Sequence, residues 1–181
     1  MKRGGFMLFG SESFEFRILE GLHNAVDGEI TDFLMTGISA LGNAGFLWIL
    51  AAVAMMISKR YRRAGFAVGI GLVIGLAFGN VILKNLIARP RPCWIFEVPE
   101  MLITAPTDYS FPSGHTLSSF ISAFVIFDAN RRWGIVALIV ATVMAFSRMY
   151  LFVHFPTDIL GGIILAVAIW LMVRKIFKRK K

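Results

Sequence analysis

The chain has 181 residues, 57% of them hydrophobic and only 17% charged, with a mean hydropathy of +0.71. Soluble domains run at roughly 45–50% apolar, so the composition excludes an ordinary soluble enzyme and implies an integral membrane protein. A formal charge of +8 and a pI near 10.2 would suit nucleic acid if the cations formed a patch, but they fall between apolar runs, where they read as topology signals and as attraction for anionic lipid.

The opening stretch, MKRGGFMLFGSESFEF, has two basic residues ahead of no sustained apolar core and no small-residue cleavage site, so it is not expected to be a removable signal peptide. Over residues 13–26, Phe14, Ile18, Leu22 and Val26 recur at helical intervals with charges between them. That spacing predicts an amphipathic helix lying in the membrane interface. The first of five apolar runs, 31–58, exceeds the ~20 residues needed to cross a bilayer, and GNAG at 42–45 is expected to bend it. Lys59, Arg60, Arg62 and Arg63 follow.

The second run, 64–86, ends in KNLIARPRP, which brings Lys84, Arg89 and Arg91 together without an acid. Any one of them reads equally as a side chain snorkelling to the headgroups. Three neighbouring cations repel one another, however, and rest more comfortably around an anion, guanidinium groups being shaped for bidentate phosphate contact. In the loop 93–109, Trp94, Phe96 and Tyr109 are belt aromatics or headgroup walls, Glu97, Glu100 and Asp108 read as solvated charges, and the lone Cys93 packs as a small apolar group.

The stretch YSFPSGHTLSSF opens the third run, 116–127, which reaches spanning length only if the helix starts near Ser113 and continues to about Ala129. Pro112 favours an extended residue before it, Ser113 suits an N-cap, and Gly114 lets a ligand approach the backbone. Free amides at a helix start favour an anion, and His115 stands in that first turn. By itself His115 reads equally as a polar anchor. Arg131 and Arg132 precede the fourth run, 133–149, which leads into SRMYLFVHFPTD. Pro156 is placed to begin the fifth helix, whose apolar run is 158–173, with His154 just outside it and Asp158 in its first turn. Asp158 either caps that helix or also accepts a hydrogen bond from one nitrogen of His154, fixing the tautomer and leaving the other nitrogen nucleophilic. Six more basic residues close the chain, so twelve of nineteen Lys and Arg share one side. The positive-inside rule makes that side cytoplasmic, puts the carboxyl terminus there, and turns the histidines to the other face.

Phosphoryl transfer needs fixed cations and amide donors, an in-line nucleophile, and an acid for the leaving oxygen. Lys84, Arg91 and Arg148, with Ser113 and the Gly114 amide, supply a phosphate cradle; His154 is the nucleophile, Asp158 its orienting carboxylate, and His115 the acid. A phosphohistidine hydrolysed by water is the expected intermediate.

The same residues carry a resemblance. K-x6-RP (Lys84, Arg91, Pro92), PSGH (Pro112 to His115) and SR-x5-H-x3-D (Ser147, Arg148, His154, Asp158) resemble, in order and spacing, the three signature motifs of the type 2 phosphatidic acid phosphatase (PAP2) superfamily, relatives of vanadium haloperoxidases. The resemblance covers 84–158 and implies an all-α, polytopic membrane bundle of five to six helices in one domain, 1–181. It implies a metal-independent, cofactor-free lipid phosphatase in the cell membrane with the roles given above, and leaves Arg89 a supporting role. Five spans and an amphipathic start, in place of six spans, are similar to the small bacterial members, undecaprenyl diphosphate phosphatases and phosphatidylglycerophosphate phosphatases. The substrate is then a lipid phosphate: a polyprenyl diphosphate, phosphatidylglycerophosphate or phosphatidic acid, in that order. Its other partners are membrane lipids, with neither nucleic acid nor an obligatory protein partner indicated. A lipid phosphotransferase would use the same residues, and a lipid transporter would use the basic residues without needing the His154 and Asp158 pairing. Zinc at His115 and His154 is opposed by the surrounding cations.

Overall fold

In the computed structural model, which describes residues 12–177, the chain folds into a bundle of α-helices: α1 (Glu12–Val26), α2 (Glu29–Leu41), α3 (Phe46–Ile57), α4 (Arg62–Gly75), α5 (Lys84–Ile87), α6 (Pro92–Ile95), α7 (Gly114–Ala129), α8 (Arg131–Tyr150) and α9 (Pro156–Phe177). The reading of the amino-terminal stretch as uncleaved, and the last four basic residues, lie outside the described residues. The expected bend is present: a 3-10 turn at Asn43–Gly45, with Ala44 at φ 52° and Gly45 at φ 71°, breaks α2 from α3 by 51°. That bent pair, together with Arg62–Ile95, Arg131–Tyr150 and Pro156–Lys175, is long and apolar enough to cross a bilayer.

The third predicted span is different. Helix α7 has 16 residues, about 24 Å at 1.5 Å per residue, short of the ~30 Å hydrocarbon thickness. Its bounds match the extent expected of the third run, and α4, α8 and α9 pack around it, so the polar groups at its start meet protein rather than lipid. Leu117, Ile121 and Ala123 on α7 join Val68, Ala141, Ala166 and Val173 in a fully enclosed core, and Trp48 of α3 donates to Ser119 Oγ at 2.8 Å. Large apolar side chains on the outer faces, among them Phe33, Ile57, Val73, Leu86, Trp133 and Ile164, are exposed, as a bilayer solvent allows.

The turn between α7 and α8 is tight: a Cβ on Gly134 would lie 2.2 Å from Phe127 Cα. Because the obstacle is backbone, Gly134→Ala must separate the helices, at a cost of ~1–3 kcal/mol. A lower Tm in detergent with unchanged kcat well below the transition is the expected result.

Basic segments that the sequence assigns to one side meet at one end of the bundle. Asn130 donates to the Tyr61 hydroxyl at 3.0 Å, and Arg174 pairs with Asp128 at 3.2 Å. At the other end, α1 lies against the bundle with its apolar stripe turned outward, as an interfacial helix would present it to lipid. Phe14, Ile18 and Val26 of the predicted apolar stripe are exposed, whereas Glu12, Glu15, Phe16, Leu19 and His23 are buried. Phe16 stacks on Phe96 with ring centroids 4.3 Å apart and packs against Phe152 and Phe155, which carries two glutamates inward with it.

Candidate active site

Three chain segments distant in sequence are stitched together by backbone hydrogen bonds. Ser110 N donates to Arg89 O at 2.8 Å, Ser113 N to Asp158 O at 3.1 Å, and Cys93 N to Phe152 O at 3.1 Å. Two sharp reversals make this possible, at Ala88 (φ 49°) after α5 and at Phe152 (φ 54°) after α8. Neither is glycine, and non-glycine residues in the left-handed region persist where the surroundings over-determine them, commonly at functional sites. Ahead of Lys84 the helix opens into a π-helical stretch, Leu76–Leu83, another feature frequent at functional sites.

These segments wall one end of a cavity of about 630 Å³. Lys84, Arg91, Asp108, Gly114, His115, Arg148 and His154 line that end, and Ile49, Val53, Met56, Leu72, Val73 and Leu76 of α3 and the α4 segment line the remainder. Six of the eight predicted site residues therefore share one cavity. Asp158 stands directly behind His154. Ser113 is enclosed, its hydroxyl accepting from Thr116 N at 3.4 Å and from Thr116 Oγ1 at 3.0 Å, so its side chain caps α7 as predicted and is not part of the cavity lining. Gly114 has a packing reason for its missing side chain: a Cβ there would lie 2.7 Å from Asn80 Oδ1.

Lys84, Arg91 and Arg148 are all nearly fully buried. Lys84 Nζ and Arg91 Nη2 converge on the two oxygens of the Asp108 carboxylate, the latter at 2.6 Å, and Arg91 Nε donates to Asp108 O at 2.7 Å. Half-burial alone would raise the Asp108 pKa, but the hydrogen bond and charge of Lys84, with Arg91 behind them, hold it down at about 2. Asp108 is thus no bystander among loop charges. It demonstrates that the two cations grip a common anion. Arg148 donates to Ser39 Oγ, while its buried Nε has no partner among the described residues, which leaves donor capacity facing a site rich in positive charge.

His154 is 1% exposed. Its Nε2 accepts from Arg91 Nη1 at 3.2 Å, and its Nδ1 lies 3.4 Å from Ser110 Oγ and 3.5 Å from Asp158 Oδ2. The Ser110 hydroxyl itself donates to Asp158 Oδ2, so the chain of donors runs from Nδ1–H through Ser110 to the carboxylate. This puts the lone pair on Nε2, toward the cavity. Burial, and then the charges of Arg91, Arg148 and Lys84, depress the imidazole pKa well below its ordinary value, keeping His154 neutral and that lone pair available near neutral pH. Asp158 Oδ2 also accepts from Phe155 N at 2.7 Å, which holds the start of α9; the direct hydrogen bond expected from His154 is not formed, Nδ1 lying 3.5 Å away with Ser110 between the two groups. His115 Nε2–H donates to Ser39 O and to Asn43 Oδ1, each at 3.2 Å.

Ser110, Asn43, Ser39 and Asn80 escaped the sequence reading. GNAG was legible as a bend but not as the source of a histidine partner, because nothing in local spacing links residue 43 to residue 115. Ser110 was discoverable only as a small polar residue flanking the PSGH stretch.

Comparison with known proteins agrees with this geometry. The family model described as the PAP2 superfamily matches residues 60–181. An undecaprenyl-diphosphatase of Sulfolobus acidocaldarius is 34% identical over 130 residues, 71% of this chain and 62% of that protein, so the match spans less than two-thirds of the relative's length. Phosphatidylglycerophosphatase B of Bacillus subtilis is 32% identical over 157 residues, 78% of this chain and 72% of that protein. The crystal structure of a transmembrane PAP2 type phosphatidylglycerolphosphate phosphatase from Bacillus subtilis superposes with a TM-score of 0.74 at 24% identity, over 97% of this chain and 91% of that one. At that identity the likeness is one of fold.

Proposed function

Since the chain belongs to the PAP2 superfamily, we propose that it is a membrane lipid phosphate phosphohydrolase that works through a phosphohistidine. One observation carries this reading: the cavity is cationic at one end and apolar over the rest. A phosphate fits the first part and the hydrocarbon of its own lipid the second.

In the cycle, the phosphate displaces Asp108 from Lys84 and Arg91 and takes up the spare donor of Arg148. His154 Nε2 attacks phosphorus, a P–Nε2 bond forms as the bond to the leaving oxygen breaks, and His115, protonated to the imidazolium beside the bound phosphate's negative charge, gives that oxygen a proton and is left neutral. Asp158, through Ser110, stabilises the positive charge that develops on the His154 ring. Water then attacks the phosphohistidine, His115 takes a proton from it, and inorganic phosphate leaves with His154 restored. Fixed cations stabilise the equatorial charge in both steps, and a metal ion in their midst would meet like charge.

The face is extracytoplasmic in this reading. Its support is the gathering of Arg60, Arg63 and Arg174 around one cleft at the other end of the bundle, combined with the positive-inside rule. Substrates are taken in the order polyprenyl diphosphate, phosphatidylglycerophosphate, phosphatidic acid, the first two supported by the names of the relatives.

Purified protein in detergent, presented with these three lipids in turn, is expected to release inorganic phosphate from at least one. Vanadate, which adopts the five-coordinate shape of the transition state, is expected to inhibit at far lower concentration than phosphate does. Absence of phosphate release from every lipid, or indifference to vanadate, would overturn the proposal. Phosphate appearing on another lipid instead of in solution would make the protein a phosphotransferase.

A further inference from the structure

Arg89 is one of the unspecified positions of the first motif and does not line the cavity, yet it is 0% exposed and touches the back of the catalytic pair. Asp158 divides its two oxygens. Oδ2 serves Ser110, Phe155 N and the His154 side, while Oδ1 accepts from Arg89 Nη1 at 2.7 Å. The same Nη1 donates to Thr157 Oγ1 at 2.6 Å, and Nη2 donates to Glu15 Oε1 at 2.8 Å. The guanidinium is stacked over the Phe155 ring at 4.2 Å, and the Arg89 carbonyl holds Ser110 N.

Glu15 reaches this cluster from α1. Its second oxygen accepts from Thr157 N at 3.0 Å and from Thr157 Oγ1 at 2.6 Å, so it clamps the first turn of α9, the turn that carries Asp158. Glu12, also buried, stands 3.8 Å from Arg89 Nη2. A carboxylate held by one oxygen alone can rotate. Held by Arg89 Nη1 on Oδ1 and by three groups around Oδ2, it cannot, and the direction in which it presents negative charge to His154 is set.

We propose that Arg89 is the positioning residue of the His154–Asp158 pair, and that α1 belongs to the active site because Glu15 fixes the Arg89 guanidinium and the start of α9. The inference rests on the reading of His154 as nucleophile and Asp158 as its orienting carboxylate. It assigns the amino-terminal helix a role in turnover, where its amphipathic sequence indicates only attachment to the membrane surface. The chemistry suits arginine specifically, since a planar fork reaches Asp158, Thr157 and Glu15 at once and an ammonium does not.

The test is a double-mutant cycle on purified full-length protein with one lipid phosphate that the wild type hydrolyses. Arg89→Lys, Arg89→Met and Glu15→Gln are each made in the wild type and in Asp158→Asn, and kcat and KM are measured after a thermal melt has shown each variant folded. Arg89→Lys is expected to lose roughly 10- to 100-fold in kcat, the scale of a slightly misplaced catalytic group, with KM within about threefold. Arg89→Met should lose more than Arg89→Lys, and Glu15→Gln less than either. In the Asp158→Asn background the further loss from each should nearly vanish, because the group they position is no longer a carboxylate. Losses that add in full in that background, or wild-type kcat in Arg89→Lys and Glu15→Gln, would overturn the inference. Should neither Arg89 variant fold, Glu15→Gln alone decides. Asp158→Asn separates the two levels of argument: if it turns over like wild type the reading of the site fails, and if it is crippled while the Arg89 and Glu15 variants are not, only the positioning role fails.

Discussion

His154→Ala is expected to abolish turnover, with kcat falling by at least about 10⁴-fold. The reason is specific to the geometry. His154 Nε2 is the neutral nitrogen lone pair facing the cationic end of the cavity, while Ser110 and Asp158 occupy the other side of its ring. Water lacks both the fixed position and the nucleophilicity of that nitrogen, so removing the ring removes the covalent route rather than slowing it. The alanine cavity is small against the packed helix bundle, and a melt near that of wild type is expected. Labelled phosphate should be trapped on wild-type protein after an alkaline quench, where phosphohistidine survives, and not on the variant. Phosphate release near the wild-type rate from a folded His154→Ala protein would end the nucleophile assignment.

Asp158→Asn is expected to lower kcat by roughly 10³- to 10⁴-fold with KM changed far less, by the same logic that governs serine proteases when the orienting aspartate becomes an amide. The amide can offer an N–H to Ser110 Oγ where the carboxylate accepts from it. The hydroxyl must then turn, and the donor chain that holds the proton on Nδ1 is lost. In the proposed cycle Lys84, Arg91 and Arg148 hold the phosphate, and none of them bonds to Asp158, so vanadate affinity should survive. A parallel collapse of kcat and vanadate affinity would instead mark Asp158 as part of the phosphate cradle.

Much of the site was legible because its chemistry is written in short motifs. Histidine beside PSGH, a second histidine ahead of a proline-initiated helix, and cations closing an apolar run each make sense within a dozen residues. Local spacing also located the bend at GNAG, where glycine tolerates the φ of 71° that Gly45 adopts. One expectation fared differently, and one element holds a face the sequence did not specify, both for tertiary reasons. Asp108 read as a loop charge because its sequence neighbours are polar, whereas it meets Lys84 and Arg91 across 24 and 17 positions. The amphipathic stripe of α1 was read correctly as helical, yet its buried face is the one with glutamates. Burial of Glu15 is affordable only because Arg89, 74 positions away, is already desolvated beside it.

Composition and periodicity by themselves determined that this protein lives in a bilayer as helices, since apolar runs of that length leave the backbone no other way to satisfy its hydrogen bonds. The motifs placed it in the PAP2 superfamily and point to phosphate, because cations, amides and a neutral imidazole are what that anion requires. Which oxygen of Asp158 faces which partner, which face of the first helix turns inward, and where the apolar remainder of the cavity runs were decided by packing alone. Each depends on groups from separate segments meeting in one desolvated place, Arg89 with Asp158 across 69 positions and with Glu15 across 74, and local sequence carries no information on such distances.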